Sequence, residues 1–229
     1  MISIIIPILN EAKTIEDLLF HVIDHSSLET ISEIIVVDGQ SIDGSQEIIK
    51  RLGLRIKLLS SPKGRAKQMN LGAKEASGDI LYFLHADSFP PLHFDKLIIS
   101  EVKKGNNAGC FRLKFDSNHW WLRLAGWLTQ FSWRACRGGD QSQFITRALF
   151  DEIGGFDENF TIYEDNILIN ELYARKEFVV INKKIVTSAR LYRKLGIWKL
   201  QYHFWMIYVK KWLGASADDL CTYYNKYIG

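Results

Sequence analysis

The run Ile80-Leu81-Tyr82-Phe83-Leu84-His85-Ala86-Asp87-Ser88 decides the fold of this chain. Its first five residues form a short apolar segment, which is typical of a strand buried on both faces of a sheet. Asp87 follows that segment, and a carboxylate placed there can hold a divalent cation against the phosphates of a ligand. The run therefore predicts a parallel strand that leads into a ligand-binding site.

Three similar apolar segments precede this run, at residues 2–9, 34–37 and 56–59. Between them, apolar residues recur at helical spacing, and a third helix is expected over residues 66–76, ending before Gly78. Strands and helices that alternate over the first ~100 residues predict a right-handed, doubly wound parallel sheet. In such sheets, ligands bind at the carboxyl ends of the strands.

The second half of the chain has a mixed order of elements, which we interpret as an elaboration of the same sheet. Helices are expected over residues 90–104, 119–133, 147–153 and 165–175, and strands over residues 109–115, 143–146 and 178–181. Residues 197–227 are expected to form two helices, interrupted near residues 214–216.

Composition indicates one globular domain. Of the 229 residues, 47% are hydrophobic and 24% are charged, and 29 basic against 26 acidic residues give a net charge of +3, too small a bias to indicate a nucleic-acid partner. The widely spaced Cys110, Cys136 and Cys221 fit neither a disulfide framework nor a zinc site, so a reducing, cytoplasmic compartment is expected. Residues 2–9 are interpreted as a strand rather than a signal peptide, and no apolar run reaches the ~20 residues of a membrane span.

Polar residues follow the other predicted strands as well. Asn10 and Glu11 come after the first strand, and Asp38 comes after the second, before the turn-forming residues 39–44. The carboxylate of Asp38 can accept a hydrogen bond from a ribose hydroxyl or a nucleobase, or it can cap the turn that follows. Both interpretations remain open at this point. Next to Asp87, His85 is a potential second ligand for manganese, although packed histidines are more common.

Charged residues also stand at two predicted helix starts. Gly64-Arg65-Ala66-Lys67 places two cations where free backbone N–H groups and the helix dipole already favour an anion. Since cations normally prefer the other end of a helix, this arrangement favours a diphosphate site. Glu164 and Asp165 are either favourable first-turn charges or catalytic groups, with one of them acting as a general base.

Four further polar residues are assigned to the sugar and the acceptor. Asp140 and Gln141 stand in the turn after Gly138, where they can present a carboxylate and an amide to a sugar. Arg190 and Arg193 are placed in a late loop, from which their guanidinium forks can close over phosphates. Ordinary surface arginines are the alternative.

Two segments are crowded with aromatic residues. They contain Trp120, Trp121, Trp127, Phe131 and Trp133, and then Trp198, Tyr202, Phe204, Trp205, Tyr208 and Trp212 among Lys199, Lys210 and Lys211. Aromatic and basic residues on one helix suit a membrane interface or a lipid-linked acceptor. Packing in the core or between two copies is the more frequent cause of such patterns, and we favour it.

Taken in order along the chain, these motifs resemble family 2 of the glycosyltransferases. The resemblance rests on Pro7-Ile8-Leu9-Asn10-Glu11, Val36-Val37-Asp38-Gly39-Gln40-Ser41-Ile42-Asp43-Gly44, His85-Ala86-Asp87, and Gly154-Gly155-Phe156-Asp157-Glu158 with Glu164-Asp165. Residues 64–73, 83–87 and 139–141 further resemble a small bacterial subfamily of about this length, which shares a histidine where the family usually has the first aspartate of Asp-x-Asp. The family implies the GT-A fold, a Rossmann-like, mostly parallel α/β sheet flanked by helices.

The resemblance implies an inverting transfer of a sugar from a UDP- or GDP-sugar to an acceptor hydroxyl, assisted by Mn²⁺ or Mg²⁺. It makes Asp87 the metal ligand and Asp165, beside Glu164, the base. The residues that it places at the nucleotide are Pro7, Asn10, Glu11, Asp38, Ser41, Gly64, Arg65, Asn70, His85 and Ala86.

We expect a single GT-A domain with a nucleotide-binding half at residues 1–88, an acceptor half at residues 89–196 and C-terminal helices at residues 197–229. The acceptor is left open, a lipid-linked one included. The protein is expected to be cytoplasmic, either peripheral at the inner face of the membrane or a homodimer through its aromatic helices. One alternative is a nucleotide-sugar sensor or scaffold without transfer activity. It is suggested by His85, which stands where the family usually has the first aspartate of its metal motif. A nucleotidyltransferase is disfavoured, because Asn10-Glu11-Ala12 stands where that class carries a glycine-rich basic loop.

Overall fold

The structure is a computed structural model that describes residues 1–27, 29–138 and 141–229. Its strands are β1 (Ile2–Ile8), β2 (Ile31–Asp38), β3 (Ile56–Ser60), β4 (Ile80–Phe83), β5 (Ser88–Phe89), β6 (Ala108–Phe115), β7 (Gln143–Thr146) and β8 (Phe178–Thr187). Its helices are α1 (Ile15–Asp24), α2 (Ser45–Arg51), α3 (Arg65–Glu75), α4 (Phe94–Lys103), α5 (Trp120–Leu128), α6 (Arg147–Ile153), α7 (Glu164–Ala174), α8 (Arg190–Leu195), α9 (Ile197–Trp212) and α10 (Ala217–Tyr227).

All eight strands form one sheet in the order β3-β2-β1-β4-β7-β6-β8-β5. The four strands of the first half are parallel, as expected from their alternation with helices. In the second half, β7 is antiparallel to both β4 and β6, β8 is parallel to β6, and β5 is antiparallel to β8. The second half therefore extends the first sheet instead of forming its own.

The sheet is buried on both faces in its parallel half, which explains the continuous apolar runs. Along β1, Ile4 and Ile6 pack in one apolar layer with residues of α1 and α4, whereas Ile5 packs in the other layer with residues of α3, α6 and α7. Helices on both faces leave the carboxyl edge of the strands as the place where polar side chains gather.

Several expected boundaries were wrong. Helix α4 begins at Phe94 rather than at residue 90, because Pro90 and Pro91 restrict the backbone and His93, at φ 59°, precedes the first helical turn. Strand β8 continues to Thr187, six residues beyond the expected end, because after an irregularity at residues 182–183 it pairs with β6 again over residues 184–187. Helix α5 ends at Leu128 rather than at residue 133. The short elements β5 and α8 were not expected.

Gly72 allows α3 to lie directly on the sheet. A Cβ atom at this position would lie 2.4 Å from Cγ2 of Ile5, a side chain with no exposed surface. Since Ile5 has no room to move, we expect Gly72→Val to lower the free energy of unfolding by ~1–3 kcal/mol in urea denaturation. Gly138→Val is the matched control, since a Cβ there would meet no atom of the described residues within 4 Å. Equal losses in both variants would contradict this close packing.

The C-terminal helices form a small core of their own. Leu200 and Ile207 of α9 pack with Leu220 of α10 and with Ile228, and Phe160 and Tyr163 pack against this cluster from the segment before α7. Within the described residues, no helix combines the length and the apolar character that crossing a membrane requires. The C-terminal helices are therefore anchored next to the start of α7.

Candidate active site

Residues that follow three neighbouring parallel strands meet at one edge of the sheet. Strand β1 lies between β2 and β4, so Asn10, Asp38 and His85 leave the sheet side by side. The loops after β1 and β2 are bonded to each other, because Asn10 N donates to Ser41 Oγ at 2.8 Å and Ile42 N donates to Asn10 Oδ1 at 3.0 Å. Asn10 tolerates the left-handed φ of 57° that this turn requires.

Asp38 organises the loop after β2. Its buried carboxylate accepts hydrogen bonds from Gln40 N at 3.0 Å, from Ser41 N at 3.0 Å and from Gln46 Nε2 at 2.7 Å, all on Oδ2. Asp38 therefore caps the turn that follows β2, which is one of its two expected roles. The other oxygen, Oδ1, accepts one longer bond of 3.2 Å from Ser41 N, so it has capacity for a ligand hydroxyl.

Gln68 was not identified from the sequence, although it ties three elements together. Its Nε2 donates to Ile8 O at 2.8 Å and to Val37 O at 2.7 Å, which joins α3 to the ends of β1 and β2. The amide also lies against Gly39, where a Cβ would approach Gln68 Oε1 to 3.0 Å. A polar residue among the apolar positions of a predicted helix is the signal that could have found it.

Two acidic residues at the start of α7 face Arg65 at the start of α3. Arg65 Nη1 lies 3.2 Å from Glu164 Oε1 and 3.6 Å from Asp165 Oδ2, and His85 Nε2 lies 3.9 Å from the same Asp165 oxygen. Both carboxylates are buried, whereas Arg65 is half exposed. The structure thus brings together four residues that the sequence had singled out separately.

Burial sets the protonation of this cluster. Burial and the neighbouring charge of Glu164 raise the pKa of Asp165 to about 7, against the opposing effect of Arg65. Burial also raises the pKa of Glu164. Burial and the nearby Arg65 lower the pKa of His85 to about 3, so its imidazole is neutral at pH 7. A carboxylate that titrates near neutral pH is suited to take up a proton from a substrate.

Asp87 lies next to a clasp, formed by Arg190 and Glu11, that joins the start of α8 to the loop after β1. Arg190 Nη1 donates to Glu11 Oε2 at 2.8 Å, its Nη2 donates to the other Glu11 oxygen, and its Nε lies 3.6 Å from Asp87 Oδ2. The expected loop position of Arg190 was wrong, because this residue opens α8, where Ser188 Oγ accepts from its backbone N–H. From the same helix, Arg193 pairs with Asp116 at 2.9 Å and does not join the Asp87 group.

The side-chain types at positions 85 and 87 fit a cation that arrives with a diphosphate. Among the described residues, no three His, Cys, Asp or Glu side chains gather closely enough to hold a metal ion by themselves. Asp87 offers a carboxylate and His85 a neutral imidazole, which manganese accepts alongside oxygen ligands. Cations bound through one or two protein groups usually take further oxygens from substrate phosphates.

Asn70 and Gln141 are bonded to the backbone of the protein. Asn70 accepts from Phe156 N and donates to Phe156 O, both at 2.9 Å, and thereby holds residues 154–158, which lead towards α7. Gln141 donates to Phe111 O at 3.2 Å and accepts from Gly138 N at 3.3 Å. Asp140 and Gly139 lie outside the described residues.

The remaining predicted nucleotide residues lie along the same edge. Pro7 is paired with Val37 near the end of β1, Gly64 precedes α3 with φ 142°, and Ala86 is buried after β4. Gln143 was missed by sequence reasoning. It is buried on β7 opposite Phe83, and neither atom of its amide has a hydrogen-bond partner among the described residues. Oε2 of Glu164 is also buried without such a partner.

Comparison with known proteins gives consistent results. The sequence model of the family described as "Glycosyl transferase family 2" matches residues 3–164. A glycosyltransferase of Haloferax volcanii, AglE, is 34% identical over 94 residues, which is 39% of this chain and 31% of that protein. A dolichol-phosphate mannosyltransferase of Pyrococcus furiosus is 32% identical over 110 residues, which is 46% of this chain and 31% of that protein. The aligned regions thus span about a third of these relatives.

Solved structures share the fold. TarS of S. aureus in complex with UDP superimposes with a TM-score of 0.68 at 18% identity, over 82% of this chain and 60% of that one. The mannosyltransferase PcManGT from Pyrobaculum calidifontis, in complex with GDP-Man and Mn²⁺, has a TM-score of 0.68 at 19% identity, over 90% of this chain and 59% of its own. The expected GT-A fold is confirmed.

Proposed function

Because this chain belongs to glycosyl transferase family 2, we propose that it transfers a sugar from a nucleotide-diphosphate sugar to an acceptor hydroxyl, with inversion at the anomeric carbon. The buried Asp165 carboxylate, with its pKa raised to about 7 at the edge where the strands end, is the observation that carries the proposal. A single displacement needs one base on the acceptor side and one anion-binding group on the donor side. Asp165 and Arg65 supply this pair.

In the proposed reaction, the acceptor oxygen forms a bond to the anomeric carbon while the bond from that carbon to the diphosphate oxygen breaks. The acceptor proton passes to Asp165, and the negative charge that develops on the leaving diphosphate lies near Arg65 at the start of α3, where backbone N–H groups also favour an anion. Glu164, which binds the same guanidinium at 3.2 Å, holds Arg65 in place.

The proposed donor pocket consists of the loops after β1, β2 and β4. Oδ1 of Asp38 is available to a ribose hydroxyl or a base, and Asn10 keeps that loop in place through its hydrogen bonds with Ser41 and Ile42. Relatives of this fold are known in complex with UDP and with GDP-Man, which supports a UDP- or GDP-sugar as the donor. In this proposal, residues 1–88 bind the nucleotide and residues 89–196 face the acceptor.

A divalent cation fits beside Asp87, with His85 as a neutral neighbour, and PcManGT was solved with Mn²⁺. When bound, such a cation would neutralise charge on the diphosphate. Arg190, held by Glu11 and close to Asp87, adds a second positive group on this side of the pocket. We further propose that the sugar and the acceptor are contacted by Gln141, Asp140 and Arg193.

The proposal is tested by incubating the protein with a panel of UDP- and GDP-sugars and Mn²⁺ and measuring donor stabilisation together with release of the nucleoside diphosphate. We expect one donor class to raise the melting temperature and to be consumed, through transfer or slow hydrolysis. Tight donor binding without turnover over a broad acceptor panel would instead favour the sensor or scaffold, for which His85 in the metal motif is the motivation.

A further inference from the structure

Helix α9 has two apolar faces, of which the rest of the protein covers only one. Leu200, His203 and Ile207 are buried against the C-terminal core. The opposite face carries a stripe at helical spacing, and its members are Trp198, Tyr202, Trp205, Val209 and Trp212, exposed to 52%, 55%, 49%, 42% and 84%. Of the two expected causes, packing in the core was therefore wrong for this stripe, whereas packing between two copies stays a prediction.

Helix α5 extends the stripe into a broader surface. Trp120, Leu124 and Trp127 lie on its exposed face, and the ring of Trp120 is 5.8 Å from the ring of Trp198. Beneath them, Trp121 Nε1 donates to Gln201 at 3.0 Å and fixes the two helices together. The eight exposed residues of the two helices are called the aromatic surface below. Exposed apolar patches of this kind mark contacts with proteins or membranes.

The charges on the two helices that carry the aromatic surface are of one sign. Helices α5 and α9, all of whose residues the structure describes, contain four lysines and arginines and no aspartate or glutamate. Lys199 and Lys210 flank the exposed stripe of α9 on one side. A second copy of the chain would bring the same positive flank against itself, since a two-fold interface pairs a patch with itself. An anionic surface, by contrast, is complementary in charge to these lysines.

We propose that the aromatic surface docks this protein on the interface of an anionic phospholipid bilayer. Trp and Tyr, rather than Leu or Ile, dominate the surface, and these side chains prefer the headgroup level, where an apolar ring meets water. Lysines at the flank can keep their stems on the apolar layer and their ammonium groups among lipid phosphates. A cleft of about 580 Å³ also opens beside Leu213, where Lys210 and Lys226 line it together with Asp219.

The proposed docking surface connects to the candidate base through α9. Tyr208 OH donates to Asn166 Oδ1 at 3.3 Å, its ring lies 5.4 Å from that of Tyr163, and Asn166 follows Asp165 directly. A docked protein would thus hold its base close to the lipid headgroups, where a lipid-linked acceptor presents its hydroxyl. This last step rests on the proposed function, whereas docking itself does not.

Flotation with liposomes tests the docking. We expect the full chain to float with vesicles of phosphatidylcholine and phosphatidylglycerol, and to bind pure phosphatidylcholine at least tenfold more weakly. Tyr202→Ser/Trp212→Ser removes two of the most exposed rings and should reduce binding to the anionic vesicles at least tenfold. Lys199→Gln/Lys210→Gln should reduce it by a similar factor and abolish the preference for phosphatidylglycerol. Phe20→Ser, which removes an aromatic ring that is 44% exposed on α1, is the matched control and should bind as the wild type does.

Two outcomes would overturn the proposal. One is equal flotation of the wild type and Tyr202→Ser/Trp212→Ser. The other is a wild type that is dimeric in solution and does not float, together with a Tyr202→Ser/Trp212→Ser variant that is monomeric. That result would assign the surface to a second copy. Melting temperatures of the same samples confirm that the variants are folded, and donor binding, measured separately without vesicles, keeps a failure of docking distinct from a failure of the proposed transfer.

Discussion

Asp165→Asn is expected to lower the rate of sugar transfer by about 10²- to 10⁴-fold, the contribution typical of a general base. The amide keeps the shape of the side chain and its place beside Arg65, but it cannot accept the acceptor proton. Donor affinity should stay within about threefold of the wild-type value, because the nucleotide contacts proposed after β1 and β2 do not involve Asp165. Single-turnover transfer and donor titration measure the two quantities separately.

The pH dependence of this prediction follows from the raised pKa of Asp165, which is about 7. The wild-type rate should rise with pH through about 7, as the carboxylate loses its proton, and Asp165→Asn should remove this rise.

The thermal stability of the wild type should change with pH in the opposite sense to its rate. Because the folded state holds this proton more tightly than the unfolded state, wild-type stability falls as pH rises from about 4 through about 7. The melting temperature of Asp165→Asn minus that of the wild type should therefore be larger at pH 8 than at pH 5, by ~2–4 °C or more.

Glu171→Gln is the control for Asp165→Asn. It removes an exposed carboxylate of the same helix, which pairs with Arg175 at 2.8 Å and lies away from the site. The control should transfer sugar at the wild-type rate with an unchanged pH profile. Wild-type turnover in Asp165→Asn would refute the assignment of the base, even if the donor proves to be a nucleotide sugar.

Asp87→Asn is expected to abolish the gain in donor affinity that Mn²⁺ provides and to lower transfer by about 10²-fold or more. The substitution replaces the charged ligand proposed for the cation with a neutral one, and imidazole from His85 alone is a weak partner for a hard cation. Titration of the nucleoside diphosphate with Mn²⁺ and with a chelator measures the effect. In the chelator, the two proteins should bind the nucleotide with similar affinity, since Arg65 and Arg190 remain.

Asp79→Asn provides the matched control for Asp87→Asn. Asp79 stands just before β4, at the opposite edge of the sheet, where it pairs with the amino terminus at 3.1 Å. This variant should keep the full effect of Mn²⁺. If Asp87→Asn also keeps it, the cation is held elsewhere or is not used, and the role of Asp87 is limited to its contact with Arg190.

The sequence predicted the parallel half of the fold well, because strands buried on both faces leave uninterrupted apolar runs and the helices between them keep one apolar side. It failed where an element depends on distant partners. Strand β5 has two residues and exists through its pairing with Thr187 and Val186 of β8. The full length of β8 likewise depends on β6 rather than on local composition.

The same limit applies to the candidate site. Local motifs indicated Asp38, Asp87 and the pair Glu164 and Asp165, because polar residues at the ends of apolar segments stand out. The bridges between motifs did not stand out. Gln68 reaches two strand ends through an amide, and Arg190 bonds to Glu11 across 179 positions of sequence. No short window contains both partners of such a contact.

The clasp between Arg190 and Glu11 has a consequence for modularity. The match to the family ends at residue 164, so this guanidinium comes from beyond the matched residues and yet borders the proposed phosphate pocket. Grafting another member's carboxy-terminal segment onto residues 1–164 would thus replace Asp165 and Arg190, the proposed base and a charge beside the proposed phosphate pocket, as well as the helices that follow. In chimaeras of this kind, activity would depend on whether the new tail restores both groups.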